Sequence, residues 1–111
     1  MKKNLVTAII ILAIIIFSIW ALTRDNSNVD EELAKCIGEN SVLYVRTGCS
    51  ACETQKDLFG DSAKHLQIIN CLTQAQECTT SIITSVPTWI INDERHVGVQ
   101  SIDKLKNLTK C

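Results

Sequence analysis

The sequence predicts an α/β domain, a central sheet with helices on both faces, preceded by one membrane-spanning helix. Three observations predict it. An uncharged apolar run extends from Leu5 to Leu22. Beyond it, runs of β-forming residues alternate with helical stretches and end in a hairpin and a helix, the pattern of a sheet covered on two sides. All six cysteines lie in this second part, where only three aromatics, Tyr44, Phe59 and Trp89, are available for a core. A core that thin gains from covalent staples.

The first element follows from length and charge. Leu5–Leu22 is 18 residues without a charge. At ~1.5 Å per residue a helix of that length covers about 27 Å, close to one hydrocarbon core. The alternative is a cleaved signal peptide, whose apolar stretch is usually shorter, roughly 7–15 residues, and ends at a small-x-small site. No such site follows here, and no early cysteine suggests a lipoprotein. Lys2 and Lys3 precede the run, while Arg24 is offset by Asp25. The positive-inside bias then leaves the N-terminus in the cytoplasm and sends the rest outside. Residues 1–24 therefore read as a membrane anchor of a single-pass plasma-membrane protein, 25–30 (DNSNVD) as a short tether, and 31–111 as one small domain. Residues 25–111 carry eight Lys/Arg against twelve Asp/Glu, with no basic stripe to suit nucleic acid.

Within the domain, Asp30 is placed to cap a short helix bearing Leu33, Ala34 and Ile37, with Gly38 as its stop. Ser41–Arg46 reads as a buried strand, which Thr47-Gly48 breaks. Cys49–Leu58 has helical composition and Gly60 ends it. Leu66–Asn70 reads as a second strand, and Leu72–Ile83, rich in Thr and Gln, as a weak helix. Val86–Asn92 is a third strand, Asn92-Asp93-Glu94 a turn, and Arg95–Gln100 a fourth strand. Ser101 caps a last helix, Ile102–Thr109, with Ile102, Leu105 and Leu108 on one face.

Cys49 and Cys52 stand where a strand gives way to a helix. The first thiol of such a pair sits beside the unpaired N–H groups of the first turn, where the helix dipole favours a thiolate. Thiols in that setting fall from a pKa of ~8.5 to roughly 3.5–7.5, which makes them good nucleophiles and leaving groups. The second lies one turn on and can close a disulfide on the first, so exchange runs through a mixed disulfide that it resolves. A zinc clip is the alternative chemistry and needs two more close ligands. Cys71 and Cys78 are spaced widely for that, and His65 and His96 stand alone. No metal or other cofactor is expected. Pro87 is the only proline in the chain, and it opens a strand, where proline is otherwise awkward.

In this order, CSACETQKDLFGDSA from Cys49, INCLTQAQECTTSIITSVPTWII from Ile69 and GVQSIDKL from Gly98 resemble a thioredoxin fold. They are more similar still to the thioredoxin-like domain fused to, or partnered with, vitamin K epoxide reductase homologues of bacteria, archaea and plants. The resemblance spans about Val42 to Cys111. It implies that Cys49 is the attacking thiol and Cys52 the resolving one. It also implies that the Val86–Pro87 bond is cis and faces them, with Val86 against substrate backbone. By the same resemblance, the chain oxidises thiols of exported proteins and is reoxidised in trans by a vitamin K epoxide reductase homologue in the same membrane. Thr47-Gly48 and Ser50-Ala51 depart from the dipeptides common in that family, so a reductase or isomerase of the same fold stays open. So does a non-catalytic, disulfide-stapled binding domain.

The other four cysteines have more than one reading. Cys71 and Cys78 are close enough for a short-loop disulfide, either a staple or a second shuttling pair. Cys36 and Cys111 remain near the two ends of the domain and could tie the first helix to the last, although six cysteines allow 15 pairings. Asn107-Leu108-Thr109 matches a glycosylation sequon, and an unmodified surface Asn is the simpler reading.

Overall fold

In the computed structural model, residues 1–23 and 29–111 are described. The Arg24–Asp25 charge pair and most of the tether expected at 25–30 lie outside them. Helix α1 spans Lys2–Thr23. Its segment Lys2–Leu22 has a mean hydropathy of 2.9, which makes it a candidate membrane span; a signal sequence passes the same test.

Among the described residues, four further α-helices and four strands build the domain: α2 (Glu31–Glu39), β1 (Ser41–Val45), α3 (Ser50–Asp57), β2 (Ile68–Asn70), α4 (Ala75–Thr80), β3 (Thr88–Ile91), β4 (Glu94–Val97) and α5 (Ile102–Thr109). The strands form one mixed sheet in the order β2-β1-β3-β4. Strand β1 runs parallel to β2, with Leu43 opposite Ile68, and antiparallel to β3, with Leu43 opposite Trp89. β3 and β4 form a hairpin. The parallel pair requires a crossover, which α3 supplies together with a 3-10 helix at Gly60–His65.

Side chains alternate across a strand, so Leu43 and Val45 share one face of β1 and Tyr44 takes the other. The first face carries the main core: Leu43, Val45, Trp89 and Ile91 pack with Ala34 and Ile37 of α2, Cys52 of α3, Leu105 of α5, and Phe59, which follows α3. The Phe59 and Trp89 rings lie 6.0 Å apart between centroids, within the range where tilted aromatic pairs attract. On the second face Tyr44 reaches the loop after α4, its hydroxyl 2.9 Å from Ser81 Oγ. The expected helix-covered sheet is thus present, with unequal layers.

Several element boundaries differ from those read in the sequence, each for a local reason. Gly38 does not stop α2; it lies inside the helix, where a Cβ would collide with the His65 carbonyl. Its role is close approach between α2 and the end of the 3-10 helix. β2 begins at Ile68 rather than Leu66, because Leu66 closes that 3-10 helix by donating its N–H to Ala63 O at 3.0 Å. α4 is shorter than 72–83. Asn70 first holds a turn, its Oδ1 accepting from Leu72 N–H at 3.0 Å and its carbonyl from Gln74 N–H at 2.7 Å. A left-handed Ile82 (φ 54°) then ends the helix as Ile83 N–H bonds back to Cys78 O at 2.9 Å. Asn92 and Asp93 (φ 51° and 63°) make a two-residue hairpin turn with both centres left-handed. β4 then ends at Val97, since Gly98 (φ 93°) turns its N–H to Pro87 O at 2.8 Å. The final helix, α5, matches its reading: Ser101 Oγ accepts from Lys104 N–H at 3.2 Å.

Candidate functional site

The β1–α3 junction places the first cysteine pair. Thr47-Gly48 makes the turn, with Gly48 at φ 84°, a conformation that favours glycine. Thr47 is pinned to β2 by Asn70 Nδ2, which donates to its hydroxyl at 2.8 Å. Cys49 then occupies the N-cap position of α3, and its sulfur accepts the Cys52 N–H at 3.1 Å. That contact satisfies one of the orphan donors of the first turn, a role normally taken by an oxygen side chain.

Cys49 and Cys52 are joined in a disulfide with Cα atoms 5.2 Å apart. The two ends differ. Cys49 is half-buried and Cys52 is completely enclosed. Of the two bonded residues, only Cys49 keeps any exposure.

The β3 side faces this pair. The Val86–Pro87 peptide bond is cis. Val86 O lies 4.0 Å from Cys49 Sγ, and Val86 remains half-buried while Pro87 is enclosed. Thr88 Oγ1 donates to Ser85 O at 2.7 Å, holding the turn before the strand. Residues far apart in sequence, Cys49 and Cys52 against Val86 and Pro87, are thus brought together at one end of the two central strands, β1 and β3.

The second pair, Cys71–Cys78, is also bonded, with Cα atoms 5.6 Å apart. Cys71 N–H donates to Val45 O at 2.8 Å, extending the β1–β2 pairing by one residue. Cys71 and Val86 line one small cleft of about 100 Å³ together with Arg46. This disulfide is therefore a neighbour of the first, on the side of Val86. Cys36–Cys111 closes the third bond, Cα atoms 5.9 Å apart, and stands apart at the seam between α2 and α5. Asn107 is exposed, but Thr109 of the sequon is buried and donates its hydroxyl to Leu105 O at 2.6 Å.

One residue of this region entered the sequence reading only through its spacing in the stretch CSACETQKDLFGDSA that carries the family resemblance, with no role at the site given to it. Gln55 is fully enclosed beneath the pair, hydrogen-bonded to Trp89 and Gln100. A glutamine on a short polar helix reads as surface. The available signal was its position three residues after Cys52, on the same helix face. Among the described residues, none of the buried side chains is ionisable apart from Tyr44 and the bonded cysteines.

No family model matches the chain. A thiol-disulfide oxidoreductase of Arabidopsis thaliana is 32% identical over 76 residues, covering 60% of this chain. The chain spans about a fifth, 20%, of the length of that curated relative. The solution structure of oxidised thioredoxin from Plasmodium falciparum is 18% identical, with a TM-score of 0.49, covering 74% of this chain and 90% of that one.

Proposed function

We propose that the chain is a membrane-anchored thiol–disulfide oxidoreductase whose domain faces the extracytoplasmic space, with Cys49 as the attacked and attacking sulfur and Cys52 as its resolving partner. The asymmetry of the pair carries this reading: Cys49 keeps partial exposure at the N-terminus of α3, and Cys52 is completely enclosed in the core. The similarity to a plant thiol-disulfide oxidoreductase supports it.

In the oxidising direction a substrate thiolate attacks Cys49 Sγ and breaks the Cys49–Cys52 bond. Cys52 leaves as a thiolate and takes up a proton, and a substrate–Cys49 mixed disulfide forms. A second substrate thiolate then attacks the substrate sulfur of that bond. Cys49 departs, stabilised as an anion by the helix N-terminus and by the Cys52 N–H at 3.1 Å. The substrate gains a disulfide, and the chain holds two thiols and the two electrons. Val86, beside Cys49 at the cis turn, offers backbone groups to an extended substrate, as a strand pairs at a sheet edge. Reoxidation runs the same steps backwards against the disulfide of a vitamin K epoxide reductase homologue in the same membrane. Residues 5–22 hold the domain there, and thiols of exported proteins are the substrates. Cys71–Cys78 and Cys36–Cys111 act as staples.

The test is dithiol exchange with a reduced peptide by the full chain, compared with C49S and C52S. Cys49→Ser abolishes exchange, and Cys52→Ser accumulates mixed disulfides trapped on Cys49. Exchange unchanged in both variants would refute the assignment. A measured reduction potential fixes the direction, since a value near that of thioredoxin makes the chain a reductant and a much higher one an oxidant.

A further inference from the structure

We propose that Gln55 is a positioning residue of the exchange site, locking the Val86–Pro87 turn and the Gly98–Gln100 segment to the helix that carries Cys49 and Cys52. It thereby sets how an extended polypeptide meets the Cys49 sulfur. The inference rests on the reading of that pair as an exchange site.

The side-chain amide is completely enclosed, and both of its polar atoms are used. Oε1 accepts the Trp89 indole N–H at 2.9 Å and the Gln100 backbone N–H at 2.6 Å. Nε2 donates to Gln100 O at 3.0 Å. A flipped amide would set a donor against two donors, so the partners themselves fix its orientation. The bonds continue outward: Gln100 Nε2 donates to Val97 O at 3.1 Å and Gly98 O at 3.2 Å. Gly98 N–H donates to Pro87 O at 2.8 Å, and Trp89 is two residues past Pro87 on β3. The circuit from Gln55 through Trp89, Pro87, Gly98 and Gln100 returns to Gln55.

An apolar residue of similar length would fill the same space without a desolvated amide to satisfy. Burying that amide is tolerable only with all its partners in place, so it demands one arrangement of the two segments. Its loss leaves the Trp89 N–H and both backbone groups of Gln100 unpaired in the core. The segments that then relax are the Val86–Pro87 turn beside the Cys49 sulfur and the Gly98–Gln100 segment bonded to that turn, while the sulfur keeps its own bond to the Cys52 N–H. A small dithiol needs only the sulfur. A polypeptide needs the turn as well.

The experiment uses the full chain in detergent micelles as wild type, Q55M and Q55E. Reduction of its disulfide by dithiothreitol is compared with reduction by an unstructured peptide bearing two cysteines, from pH 5 to 9. In Q55M the peptide rate constant falls at least tenfold and the dithiothreitol rate constant less than threefold. In Q55E the protonated carboxyl reproduces one acceptor and one donor, whereas the ionised form sets an oxygen against Gln100 O. Burial raises the pKa of such a carboxyl. The peptide ratio of Q55E to wild type therefore starts near one in acid and drops at least tenfold as pH rises, while the dithiothreitol ratio stays within threefold. His96, opposite Trp89 in register, and the cysteines are common to both proteins and cancel in that ratio. Parallel losses with both reductants, a pH-independent peptide ratio, or a Q55E that is unfolded in acid overturns the proposal. If Q55M does not fold, the pH series of Q55E decides. A wild type that reacts with neither reductant refutes the exchange site itself.

Discussion

Replacing Cys36 and Cys111 together by alanine opens the longest covalent loop in the chain, with a sequence separation of 75, against 7 for Cys71 and Cys78. In the chain-entropy account a cross-link removes about 2.1 + 3.0 ln n cal/mol/K from the unfolded state for a loop of n residues. At 25 °C that is about 4.5 kcal/mol for the long loop and about 2.4 kcal/mol for the short one. A domain of this size has a total stability of roughly 4–12 kcal/mol, so the long loop accounts for a large share. With a urea dependence of about 1 kcal/mol/M, the C36A/C111A midpoint drops by about 4.5 M and that of C71A/C78A by about 2.4 M. The assay is equilibrium urea unfolding followed by near-ultraviolet circular dichroism, which reads tertiary packing. If the short-loop variant loses as much stability as the long-loop one, loop closure is not what these bonds contribute.

Three further outcomes follow from single residues. Ile82 holds a left-handed φ of 54° with its side chain 67% exposed; I82G should raise stability by up to about 1 kcal/mol, because the ~1–2 kcal/mol left-handed penalty exceeds the entropy glycine adds to the unfolded chain. A lower urea midpoint for I82G would count against that strain. G38A forces a methyl onto the His65 carbonyl and should destabilise by about 1–3 kcal/mol despite alanine's better helix propensity; a raised thermal midpoint would show that the approach is not close. Glu31 is held below its ordinary value of 4.5 by Lys35 first and then by His65. Its folded pKa is depressed, so its contribution is present above pH ~4.5 and lost as pH falls through the lowered value. The difference in melting temperature between wild type and E31Q should therefore vanish on acidification, and a difference that grows in acid would reverse the sign.

How much of this was legible in the sequence depended on whether the cause was local. The order of strands and helices followed from runs such as Ser41–Val45 and from the spacing of Ile102, Leu105 and Leu108. The place of Cys49 and Cys52 at a helix start was legible because that position, like the lone proline, is a chain-local feature. The 3-10 helix was not, since GDSAKH carries no periodic pattern and is held by packing against α2. Gly38 was misread because a glycine after an apolar stripe obeys a local stop rule, while the actual demand comes from His65, distant in sequence. The spacing of Gln55 was legible as part of the family pattern, but its buried bonds were not, for the same reason: its partners lie 34 and 45 residues away.

The Cys36–Cys111 bond also has a mechanical meaning. It turns residues 36–111 into a closed covalent ring. A single cut by a protease inside that ring leaves the pieces joined, so the break shows only after reduction. A pull between the N-terminal side of Cys36 and Cys111 travels through the bond itself. The sheet, with the Cys49–Cys52 pair at the end of its central strands, lies off the load path and bears none of the tension.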